Sequence, residues 1–107
     1  MRYLMMQKAG GAEPDAQLYA DMAAFVEELT ASGVLLATGG LDPVGFKMTS
    51  AGDEITVTDG PFTEAKEAIG GFALVEVRTK EEALELCRRF RKIVGDGESV
   101  IHQVYGP

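Results

Sequence analysis

The densest group of side chains able to do chemistry lies within residues 56–72, which read T-V-T-D-G-P-F-T-E-A-K-E-A-I-G-G-F. Asp59 and Glu67 supply carboxylates, and Lys66 supplies an amine. A lysine or glutamate that is desolvated in a cleft has its pKa moved towards neutrality and can act as a general acid or base. Lys66 and Glu67 are therefore candidate catalytic residues. Candidate ligand contacts are Asp59, Phe62, Lys66 and Glu67.

The same stretch also has a structural interpretation. Asp59 can accept hydrogen bonds from backbone amides of its own turn, while Glu64, Lys66 and Glu67 can form ion pairs or face solvent. Because Pro61 fixes its own φ and disfavours a helical conformation for the residue before it, the local chemistry favours a shaped turn over a flexible linker. The sequence leaves both interpretations open.

His102 is the one histidine, so a mechanism that needs an imidazole must use it. It is a third catalytic candidate, although Val100 and Val104 on its strand face also suit a packed structural residue. Cys87, the one cysteine, lies on the apolar stripe of a predicted helix, which favours core packing. One histidine and one cysteine cannot supply a usual zinc site, and no phosphate-binding glycine pattern occurs, so neither metal nor cofactor is expected.

The composition is that of one globular domain over residues 1–107, with 46% hydrophobic and 25% charged residues. A net charge of −7 disfavours nucleic acid as a partner, because it would repel a phosphate backbone. No window approaches the ~20 apolar residues of a membrane span. Met1 directly begins a strand-like run without a leader, and one cysteine cannot form an intramolecular disulfide, so we expect a cytoplasmic protein.

Two amphipathic helices are predicted to support the candidate residues. Apolar residues at spacings of three and four predict a helix over 15–32 that stops at Gly33. Thr79 and Glu82 have the spacing of a capping box and open the second helix, which ends near Val94. A basic cluster at its end suits the helix dipole, with binding of an anion or acidic partner as the alternative. The cluster comprises Arg88, Arg89, Arg91 and Lys92.

Strands are predicted at 1–7, 34–37, 45–49, 54–58, 72–77 and 99–105, with about one and a half helical turns at 63–68. Gly39-Gly40 and Gly70-Gly71 are interpreted as turns. The resulting order is a ferredoxin-like β-α-β-β-α-β plan with a hairpin added in its middle. Two helices cover only one face of such a sheet, and the first strand is apolar on both faces. A second copy of the chain is the simplest cover for the other face, so a homodimer is expected.

The run D-G-P-F-T-E-A-K-E-A-I-G-G-F resembles the namesake motif of the DGPF group of YCII-related proteins, D-G-P-F-x-E-x-K-E-x-x-x-G-F. Four further segments of the chain also resemble segments of this family: M-R-Y-L-M-M, S-G-V-L-L-A-T-G-G-L-D-P, K-E-E-A-L-E-L and G-D-G-E-S-V-I-H-Q-V-Y. The matching fixed positions are Asp59, Gly60, Pro61, Phe62, Glu64, Lys66, Glu67, Gly71 and Phe72.

That resemblance implies a dimeric α+β barrel, in which two ferredoxin-like sheets face each other, but it implies no general activity. Some YCII relatives carry a histidine near the start of the first helix, paired with an aspartate. This chain reads Asp15-Ala16-Gln17-Leu18 there, so the dyad does not transfer.

Two functions follow as hypotheses. The first is a homodimer that binds a small molecule in a cleft beside the loop 59–72, since a rigid polar loop over apolar walls is typical of a ligand site; whether it is an enzyme stays open. The second is a non-enzymatic regulatory or partner-binding module. It arises because members of the family that the chain resembles are often encoded beside extracytoplasmic-function sigma factors.

Overall fold

The computed structural model describes residues 1–10, 13–62 and 68–106. Within these ranges the elements are β1 (Arg2–Lys8), α1 (Ala16–Ala31), β2 (Leu35–Gly40), β3 (Phe46–Ala51), β4 (Glu54–Asp59), β5 (Ile69–Glu76), α2 (Lys80–Val94) and β6 (Ser99–Val104). This order confirms the predicted ferredoxin-like α+β plan with an added hairpin. The short helix predicted at 63–68 falls, except for Ala68, outside the described residues. Neither α1 nor α2 is long and apolar enough to cross a membrane.

Four strands form an antiparallel sheet in the order β2-β5-β1-β6, and β3 pairs only with β4 in a separate two-stranded sheet. In the larger sheet Tyr3 lies opposite Val75, and Leu4 lies opposite both Leu74 and His102. The central place of β1 explains why its sequence is apolar on both faces. The strands β2 and β6 form the edges.

Both helices cover the same face of the four-stranded sheet. The buried core on that face contains Tyr3, Val75, Val77 and Ala83, and Val75 is only 1% exposed. Side chains alternate along a strand, so the neighbouring residues point to the opposite face, on which neither of the two described helices packs. This helix-free face includes Leu4, Leu74, Val100, His102 and Val104.

The helix boundaries follow from local capping. The Asp15 carboxylate accepts a hydrogen bond from the Leu18 amide at 2.8 Å, and Gly33 has the predicted left-handed conformation with φ of 78°. Thr79 caps α2 by accepting from the Glu82 amide at 3.1 Å. The Glu82 carboxylate accepts from the Arg78 amide and not from Thr79, so only half of the predicted capping box forms.

The interpretation of the two glycine pairs as turns is wrong. Gly39 and Gly40 are the last residues of β2, and they lie opposite Phe72 and Gly71. A Cβ on Gly71 would lie 3.2 Å from the Gly39 carbonyl oxygen, which is tighter than most real contacts. Glycine at these paired strand positions therefore permits a close approach of two backbones within the sheet.

Three of the four cations in the basic cluster on α2 bond within the chain. Arg89 donates to both Glu28 carboxylate oxygens at 2.7 and 2.8 Å, joining α2 to α1. This bidentate bond lowers the pKa of Glu28 and raises that of Arg89. Arg88 pairs with Glu85. Because these contacts are structural, the anion-binding alternative receives no support from these two arginines.

Arg91 also bonds within the chain. Its guanidinium donates to the Gly95 carbonyl oxygen at 2.7 Å and to the Ser99 hydroxyl at 3.2 Å. The first of these bonds satisfies a carbonyl just beyond the last turn of α2, in agreement with the predicted role of a cation at the negative end of the helix.

Candidate functional site

A cavity of about 230 Å³ lies between the four-stranded sheet and the two helices. The inward stripes of α1 and α2 form its roof, with Phe25, Leu29 and Phe90 among the lining residues. Its floor is the sheet, including Met5 and Ala73. The helix residues recur at spacings of three and four, which places their side chains on one face above the floor.

Glycines in the floor help to create this space. Gly39, Gly40, Gly70 and Gly71 all line the cavity, and none has a side chain to occupy it. At this end of the sheet, facing glycines on two paired strands place no side chains between the sheet and the helices. The distance between sheet and helices is set by the larger side chains in the rest of the core. We attribute the cavity to this local lack of side-chain volume.

The cavity has the size for one ring. An apolar cavity of about 150 Å³ can hold benzene, whereas sites for drug-sized ligands range from about 300 to 1,000 Å³. The volume here lies between these values, so it fits a compact molecule with few substituents.

Polar groups are few in this lining and lie mostly at the glycine end. Gln7 is paired with Gly71 on one side and Ser99 on the other, so these residues form one row across the sheet. Ser99 accepts a hydrogen bond from Arg91, whereas the Gln7 side chain has no hydrogen-bond partner within the described part of the chain. Gln7 therefore offers an amide donor and an amide oxygen to a bound molecule.

Thr38 and Cys87 are the other lining residues able to form polar contacts. The Thr38 hydroxyl donates to the Phe72 carbonyl oxygen at 2.9 Å. Cys87 is buried, as its place on the helix stripe predicts, and its side chain also lines the cavity. The described lining contains no carboxylate, amine, guanidinium or imidazole, so it can bind a neutral molecule but supplies no ordinary general acid or base.

The predicted site residues in the DGPF motif lie elsewhere or cannot be located. Asp59 is the exposed last residue of β4, opposite Phe46. Phe62 is 45% exposed, and the Lys47 ammonium lies 5.0 Å from the centre of its ring. Neither Asp59 nor Phe62 is among the described residues that line the cavity. Lys66 and Glu67 lie outside the described residues.

His102 is on the other side of the sheet. It is exposed in β6, opposite Leu4 on the helix-free face, and it does not line the cavity. The sheet therefore separates the imidazole from the helix-side cavity, and the structure does not bring His102 together with Asp59.

Gly60 has a structural role that its motif position alone does not reveal. Its amide donates to the Gly45 carbonyl oxygen at 2.9 Å, and a Cβ at this position would overlap the Val44 carbonyl oxygen. The next peptide bond, to Pro61, is cis. Glycine is thus required where the base of the hairpin β3–β4 meets the motif loop.

The cavity was missed by reasoning from sequence alone. The two glycine pairs could have indicated it, because glycines within strands that face apolar helix stripes leave unfilled volume. Glycines in turns would not lie under the helices, so interpreting the pairs as turns gave no reason to expect a cavity.

The fold is similar to that of 5-chloro-2-hydroxyhydroquinone dehydrochlorinase (TftG) from Burkholderia phenoliruptrix, solved in complex with 2,5-dihydroxybenzoquinone. The TM-score is 0.54, the sequences are 17% identical, and the match covers 100% of this chain and 96% of that chain. At this identity the likeness shows the fold alone.

Sequence comparison gives a family. An uncharacterised protein of Rhizobium meliloti is 35% identical over 79 residues, which are 71% of this chain and 63% of that protein. The match thus spans less than two thirds of that relative. The model of the YCII-related domain matches residues 1–100. Because that match covers most of the chain and agrees with the DGPF motif, the chain belongs to the YCII-related domain family.

Proposed function

We propose that this protein binds a small, largely apolar ring compound in the cavity between its sheet and its helices. The observation that carries the proposal is the apolar cavity of about 230 Å³, whose lining includes the Gln7 amide, a group with no hydrogen-bond partner among the described residues. Apolar walls bury the ring, and a single polar group selects a hydroxyl or carbonyl substituent.

The structural neighbour supports this ligand class. TftG was solved with 2,5-dihydroxybenzoquinone, a single ring with oxygen substituents, on the same fold. A ligand of that kind also matches the volume and the sparse polarity of the cavity in this chain. The proposed ligand is therefore a hydroxylated or carbonyl-bearing single ring.

The sequence neighbourhood of the cavity floor suggests further residues for the proposed site. Glu67 directly precedes Ala68, which is buried and accepts a hydrogen bond from the Ala9 amide, and Gly70 two residues later lines the cavity. We propose Lys66 and Glu67 as the charged groups of the site. Any acid–base chemistry would require Lys66 or Glu67, because the described lining lacks such groups.

Cavity-filling mutagenesis tests the proposed binding site. Ala73→Leu adds volume to the floor, and Ala20→Leu adds the same atoms on the exposed side of α1 as a control. Titration with 2,5-dihydroxybenzoquinone and with phenol, followed by amide chemical shifts, should move the signals of Gln7, Thr38 and Ser99. We expect Ala73→Leu to abolish these shifts and Ala20→Leu to preserve them.

Two results would decide against the proposal. If neither ring compound moves any signal of the cavity lining, the proposed ligand class is wrong. If Ala73→Leu folds and binds like the wild type, the ligand lies elsewhere. Lys66→Ala and Glu67→Ala, measured in the same titration, test the charged part of the site, and unchanged affinity in both variants would remove these residues from it.

The proposed functional unit is a homodimer in which a second copy covers the helix-free face. Leu4 and Leu74 lie side by side there with Val100 nearby, and the chain's own helices are on the other face. Sedimentation should therefore find a dimer at micromolar concentration. A stable monomer at that concentration would exclude the dimeric barrel.

A further inference from the structure

The hairpin β3–β4 has one apolar and one polar face. Residues directly opposite each other in an antiparallel pair lie on the same face. The register pairs the apolar residues Met48 and Val57 on one face and the polar residues Thr49 and Thr56 on the other. Phe46 is on the same face as Met48 and Val57. We call this the apolar hairpin face; it comprises Phe46, Met48, Ile55 and Val57.

Nothing in the described part of the chain covers the apolar hairpin face. Its four residues are 76%, 67%, 65% and 60% exposed, in sequence order. The main packing contacts of β3 and β4 are with each other, and no helix or other strand packs extensively on them. A two-stranded hairpin alone is at best marginally stable in water, so this apolar face is suited to packing on another surface.

The area exposed by one chain is larger than that of a compact monomer. Its accessible surface is 7666 Å², against about 5,800 Å² for a monomer of 11.4 kDa. The excess of about 1,900 Å² per chain exceeds the roughly 800 Å² that each partner contributes to a standard interface. Summed over two copies it is about 3,800 Å², which falls in the range of total area buried by obligate homodimers. The radius of gyration agrees, at 16.0 Å against about 13 Å for a compact domain of this length.

Charge favours this face as a contact between two copies. Each copy carries a net charge of −7, so two copies repel each other unless they meet through surfaces with few charges. The apolar hairpin face has one charged neighbour, Asp59, at its base, whereas Lys47 and Glu54 lie on the polar face. A twofold axis uses the same patch on both copies, so an uncharged apolar patch can serve both sides.

We propose that the apolar hairpin face packs on a second copy of the chain, as an arm that extends the dimer interface beyond the helix-free sheet face. This inference rests on the homodimer proposed above. It adds a second contact region, one that stands outside the four-stranded sheet and comes from the segment between β2 and β5.

Matched lysine substitutions on the two hairpin faces test the arm. Val57→Lys places a charge on the apolar hairpin face, and Thr56→Lys makes the same charge change one residue away on the polar face. Met48→Lys is a second variant on the apolar face. Sedimentation equilibrium should give a dimer dissociation constant raised at least about tenfold by Val57→Lys and by Met48→Lys, and changed less than about twofold by Thr56→Lys.

Hydrogen exchange provides a measurement that needs no variant. Amides of β3 and β4 should exchange more slowly in wild-type protein at concentrations above the dimer dissociation constant than below it, because the arm is covered only in the dimer. Amides of β1 and β5 serve as the internal reference, since they are bonded within the sheet of one chain.

Each contrary outcome has a definite meaning. A Val57→Lys dimer as strong as the wild type would overturn the arm while leaving a dimer through the sheet face. Equal weakening by Val57→Lys and Thr56→Lys would also overturn it, because the effect would then not follow the apolar face. A monomeric wild type would overturn both the arm and the homodimer, and ring-compound titration of the same sample would still test ligand binding separately.

Discussion

The chain contains two β surfaces with the same alternation of apolar and polar residues, and within the described part of the chain only one of them has helices packed on it. In the four-stranded sheet Val75 is 1% exposed beneath the helices, whereas Val57 in the hairpin is 60% exposed. Both valines sit in antiparallel strands and face apolar neighbours across the pair. The difference shows that alternation determines which face of a strand is apolar, while chain connectivity determines whether the chain can cover that face.

The order of the elements explains why the helices pack on one surface and not on the other. The helix-side face is covered because α1 and α2 follow β1 and β5 directly and return over the sheet. Turns join β2, β3 and β4 without any helix between them, so no described helix follows these strands and returns over the hairpin. In the proposed dimer, a second copy of the chain covers this surface.

The largest expected effect comes from truncating the two valines. Val75→Ala should lower the free energy of unfolding by about 2 kcal/mol, because it leaves a cavity in the buried core. Val57→Ala should change it by less than about 0.5 kcal/mol at protein concentrations where the chain is monomeric. Urea denaturation of both variants measures this difference, and equal losses would mean that the hairpin is covered within one chain.

The next effect concerns the connection between the two regions. Gly60→Ala forces a Cβ against the Val44 carbonyl oxygen and should cost about 1–2 kcal/mol, with the hairpin base displaced. Gly52→Asn is the control at the hairpin tip, where φ is 62° and the space is open, since asparagine tolerates that conformation. Amide shifts should change in β3 and β4 in Gly60→Ala and stay unchanged in β1. Shifts spread through the whole sheet would contradict a separate hairpin.

The smallest effect is the pH dependence of the helix-covered region. Hydrogen bonds from Arg89 and Lys8 lower the pKa of Glu28 and Glu98 respectively. Because the folded-state pKa is below the unfolded one, this stability is present above the ordinary glutamate pKa of about 4.3 and is lost as the pH falls through the folded-state values. Salt should weaken it, since both carboxylates are exposed.

The double variant Glu28→Gln, Glu98→Gln isolates that contribution. Its melting temperature should fall less steeply than that of the wild type as the pH is lowered from neutrality into the acid range. Parallel pH profiles for the two proteins would show that these two ion pairs do not contribute to acid stability.

Much of the fold could be predicted from local signals. Asp15, Gly33 and Thr79 mark helix ends through hydrogen bonds that involve only a few neighbouring residues, and the structure confirms all three. The motif from Asp59 to Phe72 similarly identified the family. Such signals are readable because the physical interaction and the sequence pattern occupy the same short segment.

The candidate site was less predictable because its parts come from distant segments. The sequence indicated Asp59, Phe62, Lys66 and Glu67 within one motif, and His102 by its residue type. The structure shows a further feature, a helix-side cavity with Gln7 in its lining, and it places His102 across the sheet from that cavity. No spacing in the sequence relates Gln7 to Gly71 and Ser99 until the strands pair.

The sequence by itself thus determined the element order, the helix ends, the apolar character of both faces of β1 and the family. Each of these depends on local chemistry or on a continuous motif. Only the tertiary structure decided that the glycine pairs lie within strands, that a cavity remains above them, and that the hairpin has an uncovered apolar face. These features depend on strand register and on the distance between packed layers, which arise only when remote segments meet.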